Sequence, residues 1–190
     1  MMNLDAIADS FTGLLKDHHY SKITIQMICE KTPVSRNAFY YHFKNKEHLT
    51  EWICSRDYMK YSYPYFQIDT DNIKSRSIFL YIKKHKSYYT AIYHADDGQL
   101  LHHCLSKAYS DGVMKDKIEE YAQHLLHRTN SGIQVRMNIN HFRFYLSSGL
   151  AAVVLSWIKD DMKIPIEDMA EDVDILLKKS PEDIVSYHLF

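Results

Sequence analysis

Glycine and proline are scarce in this chain, with five and four in 190 residues. Both residues punctuate turns and interrupt regular elements. Their scarcity leaves long unbroken segments and argues against a many-turned sheet protein. Cysteine is scarce as well. Cys29, Cys54 and Cys104 are odd in number, far apart and without a CxxC pair. That excludes a disulfide framework and a zinc motif, and it fits a reducing compartment. Charge of one sign is also missing. The formal net charge is −1, so a polyanionic partner would have to be met by a local patch. The longest apolar run, GLAAVVLSWI at 149–158, is about half of the roughly 20 residues that a membrane span needs. The opening MMNLDAIADS has neither a basic region nor an apolar stretch of the signal-peptide kind. The expectation is a soluble cytoplasmic protein. GxSxG, P-loop, GxGxxG and HExxH motifs are all absent. No enzyme and no cofactor is expected.

What is present is helical periodicity. Leu4, Ile7, Ala8, Phe11, Leu14 and Leu15 recur at spacings of three and four, which predicts an amphipathic helix over 3–17. Thr24 is placed to cap a second helix ending near Thr32. Ser35 can cap a third, from Arg36 to about His42, and Asn45 a fourth that stops before Pro64. A Tyr-rich connection follows over 57–72. Helical stripes return at 73–84 and 88–94, break at ADDG (95–98), and resume at 100–108 and 118–126. A loop is expected at 128–132, then a long apolar helix at 138–161 and a final amphipathic helix from Pro165. No strand pair is convincing, so the chain reads as all-α.

The first three helices have the order of a helix-turn-helix, whose second helix enters the major groove N-terminus first. The residue types suit that task. Arg36 and Asn37 stand at the start of the third helix, where Arg can pair with guanine and Asn with adenine. Tyr40, Tyr41, His42, Lys44 and Lys46 can reach phosphates, with Lys46 at the start of the next helix, where the dipole also favours an anion. Phe39, Phe43 and Leu49 supply the apolar underside. Between Lys31 and His48, Lys31, Arg36, Lys44 and Lys46 stand against Glu47 alone, a net +3.

The stretch TIQMICEKTPVSRNAFYYHFKNKEHL (24–49) resembles the DNA-binding signature of the TetR/AcrR family of transcriptional regulators. The family pattern is a short helix, then Gly-Val-Ser and a hydrophilic residue, then Phe-Tyr-x-His-Phe-x-x-Lys-x-x-Leu. The match covers roughly residues 4–55. The segment FYLSSGLAAVVLSWIKDDMKIPIEDMAE (144–171) resembles regulators of dihydroxyacetone kinase operons within that family. The resemblance implies an N-terminal three-helix helix-turn-helix domain over 1–46 and a C-terminal helical bundle over 47–190 for effector binding and dimerisation. It implies that Arg36, Asn37 and Tyr40 read or border bases, with Gln26 on the backbone. It puts Thr24, Tyr41, His42 and Lys46 on phosphates and counts the cap Ser35 among the DNA-binding residues. One departure is Pro33, at the position where the family usually carries glycine. Proline cannot adopt the positive φ common at a helix end, so the turn must differ or the second helix must stop earlier.

In the body, the helix near 138–161 is apolar on two sides, one for the core and one for a partner. Leu150, Val154 and Ile158, with Met169 and Val173 of the final helix, are the expected surface for a homodimer. Tyr81, Tyr89, Tyr93 and Tyr145 are the expected walls of an effector pocket. HHC at 102–104 invites a metal reading, but adjacent residues of a helix point apart and no metal is expected. The function expected is a homodimeric regulator that binds a palindromic double-stranded operator, a repressor whose DNA affinity is set by a small-molecule or protein effector. The alternative is a helical adaptor that docks protein without a small-molecule effector.

Overall fold

The computed structural model describes residues 4–61, 74–111 and 139–178. The stripe expected at 118–126, the loop at 128–132 and most of the Tyr-rich connection lie outside the described residues. The described helices are α1 (Leu4–Leu14), α2 (Ile25–Glu30), α3 (Arg36–His42), α4 (Lys46–Tyr61), α5 (Lys74–Lys84), α6 (Lys86–Tyr93), α7 (Gln99–Asp111), α8 (Ile139–Lys159) and α9 (Ile166–Lys178). A single 3₁₀ turn, Tyr20–Lys22, lies between α1 and α2. The described residues contain no strand, and the fold is all-α.

Local chemistry starts each of the first helices where the sequence places it. Thr24 Oγ1 accepts from the Met27 amide (3.2 Å), Ser35 Oγ from Ala38 (3.2 Å), and Asn45 Oδ1 from His48 (2.8 Å). Each bond satisfies one of the amides that a helix leaves open at its N-terminus. The apolar faces then close on one another. Ile7, Phe11 and Leu14 of α1, Ile28 of α2, Phe39 of α3, and Leu49 and Ile53 of α4 are all buried. The Ser10 hydroxyl donates to the Ile28 carbonyl at 2.8 Å and ties α1 to α2.

α4 belongs to both halves of the molecule. Its first turns sit in the N-terminal module, and its last turns pack on α7, where Tyr58 meets Tyr109 edge-on at 5.2 Å. Phe11 of α1 also meets Tyr88 of α6 edge-on at 6.5 Å, so the module rests directly on the body. α7 lies between α4 and α8 and buries Leu101, Cys104, Leu105, Ala108 and Tyr109. α9 packs on α5, joined at the rim by Arg76 and Glu167 (2.8 Å).

Two turns need left-handed backbone. Gly98 has φ +86°, and a Cβ there would lie 2.8 Å from the Tyr93 ring. Glycine is therefore required on both conformational and spatial grounds. After α8, Asp161 and Met162 both have positive φ. The Met162 amide reaches back to the Trp157 carbonyl (2.8 Å), and Trp157 Nε1 donates to Ile164 (2.9 Å), which fixes the entry to α9.

Candidate nucleic-acid interface

The turn between α2 and α3 contains no positive φ. α2 stops at Glu30. The Thr32 amide and hydroxyl both donate to the Cys29 carbonyl (3.0 and 3.1 Å), and Thr32 Oγ1 accepts from the Val34 amide (3.3 Å). A threonine side chain thus closes the turn, and the helix stops early, as Pro33 requires. Val34 is buried and anchors the turn to the core.

α3 is divided by its own periodicity. Phe39 and the following Phe43 point inward and touch, with ring centres 5.5 Å apart. Phe43 continues to Trp52 of α4 at 5.7 Å. The outward face carries Arg36, Asn37, Tyr40, Tyr41 and His42. Tyr41 is 85% exposed, and an aromatic that open has no packing role inside the chain. Among the described residues neither Arg36 nor Asn37 forms a side-chain hydrogen bond or ion pair. Their donors stand free at the leading end of the helix. Thr24 and Ser35 are exposed, but their hydroxyls are engaged as caps. Gln26 is held by Glu30 at 2.8 Å.

Lys46 differs from the expectation of a free phosphate-binding ammonium. Its Nζ donates to the carbonyls of Tyr20 (2.7 Å) and Ile23 (3.2 Å) and lies 4.3 Å from the Tyr20 ring centre. Desolvation lowers its pKa, opposed by the charge of Glu47. The Tyr20 hydroxyl in turn donates to Glu47 (3.0 Å), and burial above all holds that phenol protonated. Lys46 is a clip that binds the end of the 3₁₀ turn to the start of α4. The partner carbonyls lie 23 and 26 residues away in sequence, so no local pattern discloses the bond.

Comparison with known proteins agrees with this geometry. Residues 12–52 match the description "Bacterial regulatory proteins, tetR family". Residues 74–179 match "Transcriptional regulator C-terminal region" of the same family. The chain belongs to the TetR family. It is a DNA-binding transcriptional regulator, and the family and its fold set it apart from enzymes. The solved structure of "Dihydroxyacetone kinase operon activator DhaS" superposes with a TM-score of 0.56 at 18% identity, covering 92% of this chain and 93% of that one. The likeness is one of fold. No curated protein matches the chain. Among the described residues, no helix of this TetR-family regulator is long and apolar enough to cross a membrane.

In the body the structure redistributes the expected roles. Tyr81, Tyr89, Tyr93 and Tyr145 do not converge on one pocket. Tyr89 is sealed in the core, edge-on to Tyr88 at 5.1 Å. Tyr93 covers Gly98. Tyr145 is 72% exposed on the outside of α8. Tyr81 lines a cleft with Tyr61, Ser77, Leu80, Lys84 and His85. The expected dimer surface is also corrected. Leu150, Val154, Ile158, Met169 and Val173 are all buried inside the chain itself. α8 packs on α7 and α6, and α9 packs on α5. What α8 leaves outside is Phe144 (69% exposed), Tyr145, Gly149, Ala152 and Ser156. The three residues of HHC point apart: His102 to the Ser148 carbonyl (3.1 Å), His103 to Glu51 (3.4 Å), and Cys104 into the core.

Two charged groups on α4 went unread in the sequence. Glu51 pairs with Lys107 of α7 at 2.8 Å. Burial works to raise its pKa, but the hydrogen bond and charge of Lys107, with His103, hold the carboxyl below its ordinary range. Arg56 bridges Asp5 of α1 (2.8 Å) and the buried Asp57 (2.7 Å). Burial raises the Asp57 pKa, and the Tyr81 hydroxyl and Arg56 offset part of that rise. Neither Glu51–Lys107 nor Arg56–Asp5 has a sequence signature, because each joins α4 to a helix more than 50 residues away in sequence.

Proposed function

We propose that the chain acts as a homodimer that grips a palindromic operator with two copies of α3, and that an effector held in the helical body sets its DNA affinity, in the manner of a repressor. The observation that carries this reading is the pair Arg36 and Asn37, exposed and unengaged at the leading end of a helix whose opposite face is locked by Phe39 and Phe43. Arg36, Asn37 and Tyr40 contact or border bases. Tyr41, His42 and Thr24 lie along phosphates, with Gln26 on the flanking backbone. One short helix offers few base contacts, so a second copy roughly 34–36 Å away supplies the missing specificity. Support for the second copy comes from α8, whose outward face joins two exposed aromatics to the small residues Gly149, Ala152 and Ser156. Small residues permit two helices to approach closely, and a large exposed aromatic area marks an interaction site.

α4 is the element that carries the effector signal. It starts at the recognition module and ends against α5 and α7, so a displacement of its body end alters the distance between two recognition helices. The test is a titration of fluorescent duplex DNA from the region upstream of the gene. The reading expects saturable binding at two protomers per duplex. A reporter assay in the host then decides the direction: loss of the regulator raises expression if it represses and lowers expression if it activates.

A further inference from the structure

Tyr61, the last residue of α4, and one face of α5 line a partly open cleft of about 280 Å³. Tyr61 forms one wall. Ser77, Leu80, Tyr81, Lys84 and His85 form the other, at the three- and four-residue spacings of a single helix face. The walls are aromatic. Tyr61 stacks on Tyr81 with ring centres 4.1 Å apart and 18° between planes, and the His85 ring lies 4.1 Å from Tyr81. The rim is cationic. Lys84 is exposed and, among the described residues, forms no ion pair, and Lys60 lies 5.3 Å from the Tyr61 ring centre. No acidic side chain is among the described lining residues. His85 Nδ1 faces the Tyr81 carbonyl at 2.9 Å. In the neutral ring that nitrogen carries the proton, which leaves Nε2 as an acceptor.

We propose that this cleft binds a one-ring aromatic carboxylate, with its ring against Tyr61 and Leu80 and its carboxylate on Lys84. The volume suits a ligand of that size at the low end of small-molecule sites. A ring substituent with an O–H, such as a phenol, is matched by His85 Nε2. Behind the cleft runs a line of polar groups. The Tyr81 hydroxyl interacts with Asp57, Asp57 holds Arg56 at 2.7 Å, and Arg56 holds Asp5 of α1 at 2.8 Å. Asp57, at the centre of that line, is 2% exposed. A ligand that moves Tyr81 therefore acts on the first helix of the DNA module. This inference rests on the reading of the chain as an effector-controlled regulator and names the site and ligand class.

The experiment titrates the full chain with 4-hydroxybenzoate, 4-hydroxybenzamide and acetate, followed by calorimetry and thermal shift, and measures DNA affinity with and without each compound. The acid binds and raises the melting temperature, and the neutral amide and acetate do not. Lys84→Gln weakens the acid by about tenfold or more. Asp5→Asn keeps acid binding and reduces the response of DNA affinity to it. No binding of the acid, equal binding of the amide, or an unaltered affinity in Lys84→Gln overturns the site. If unliganded protein binds DNA while those results fail, only the cleft assignment falls. If the acid binds as described but no DNA is bound, the regulatory reading falls and the site stands.

Discussion

Lys46 Nζ lies 2.7 Å from the Tyr20 carbonyl oxygen and 4.3 Å from the centre of the same residue's ring. One side chain thus serves the backbone and the aromatic face of a residue 26 positions earlier. The clip ties the segment before α2 to the first turn of α4.

Lys46→Met leaves the Tyr20 and Ile23 carbonyls short of a charged donor. A cost of about 1–3 kcal/mol in urea unfolding is expected. A phosphate contact gives a different signature, a salt dependence of DNA binding shallower by about one unit of slope. The clip predicts lost stability with an unchanged slope. A shallower slope at unchanged stability would return Lys46 to the phosphates.

The turn before α3 makes a second prediction. With no positive φ between α2 and α3, restoring the family's glycine repairs nothing. Pro33→Gly lowers stability by about 0.4–1 kcal/mol by freeing the unfolded chain. Thr32→Val removes the hydroxyl that closes the turn and costs about 1 kcal/mol. Thermal unfolding of both variants checks the pair, and a more stable Pro33→Gly would contradict the geometry.

These two positions mark how far the sequence could be read. Thr24, Ser35 and Asn45 were legible as caps because each bonds an amide three residues away. The order of helices and the fold class follow from the same local rules. α8 was legible as a helix apolar on two sides. Which side the chain keeps for itself depends on where α7 docks, and periodicity carries no such information. Leu150, Val154 and Ile158 are buried within the chain. The tyrosines misled in a related way: a hydroxyl on a ring suits a pocket wall, but it suits a dry core equally well, and Tyr89 took the second course. Lys46 sat in the family motif at a helix start, and nothing nearby in sequence announced Tyr20.

Acid stability tests the α4–α7 contact. The Glu51 carboxyl is held below its ordinary value of 4.5. Its contribution is therefore full above that pH and is lost as the pH falls through the folded value. Glu51→Gln is expected to cost about 0.5–1 kcal/mol at pH 7, with the difference from the parent shrinking below pH 4.5. Asp57 runs the other way. Its carboxyl is raised above 3.8 by burial, so the stability linked to that shift is present below pH 3.8 and lost as pH rises through the folded value. Urea midpoints of parent, Glu51→Gln and Asp57→Asn from pH 3.5 to 7 separate the two signs.

The outer face of α8 supplies a fourth prediction. Tyr145 and Ala152 are exposed, so Tyr145→Glu with Ala152→Glu leaves the helical content and the chain's own core intact while putting like charges across a symmetric contact. Light scattering is expected to give a dimer for the parent and a monomer for the double variant. Val154→Glu, which places a carboxylate in the buried stripe, is expected to unfold the chain instead. A parent that is monomeric at micromolar concentration would contradict the dimer.

The most direct test of the account is selection of duplex DNA from a random pool, followed by titration of the selected site with the parent and with Arg36→Ala and Tyr41→Ala. A palindrome bound by two protomers is expected, with affinity falling steeply as salt rises. Arg36→Ala loses about 1–3 kcal/mol at particular base pairs and relaxes the preference there. Tyr41→Ala weakens every sequence alike. A pool that yields no enriched sequence, or Arg36→Ala binding the selected site as tightly as the parent, would contradict it.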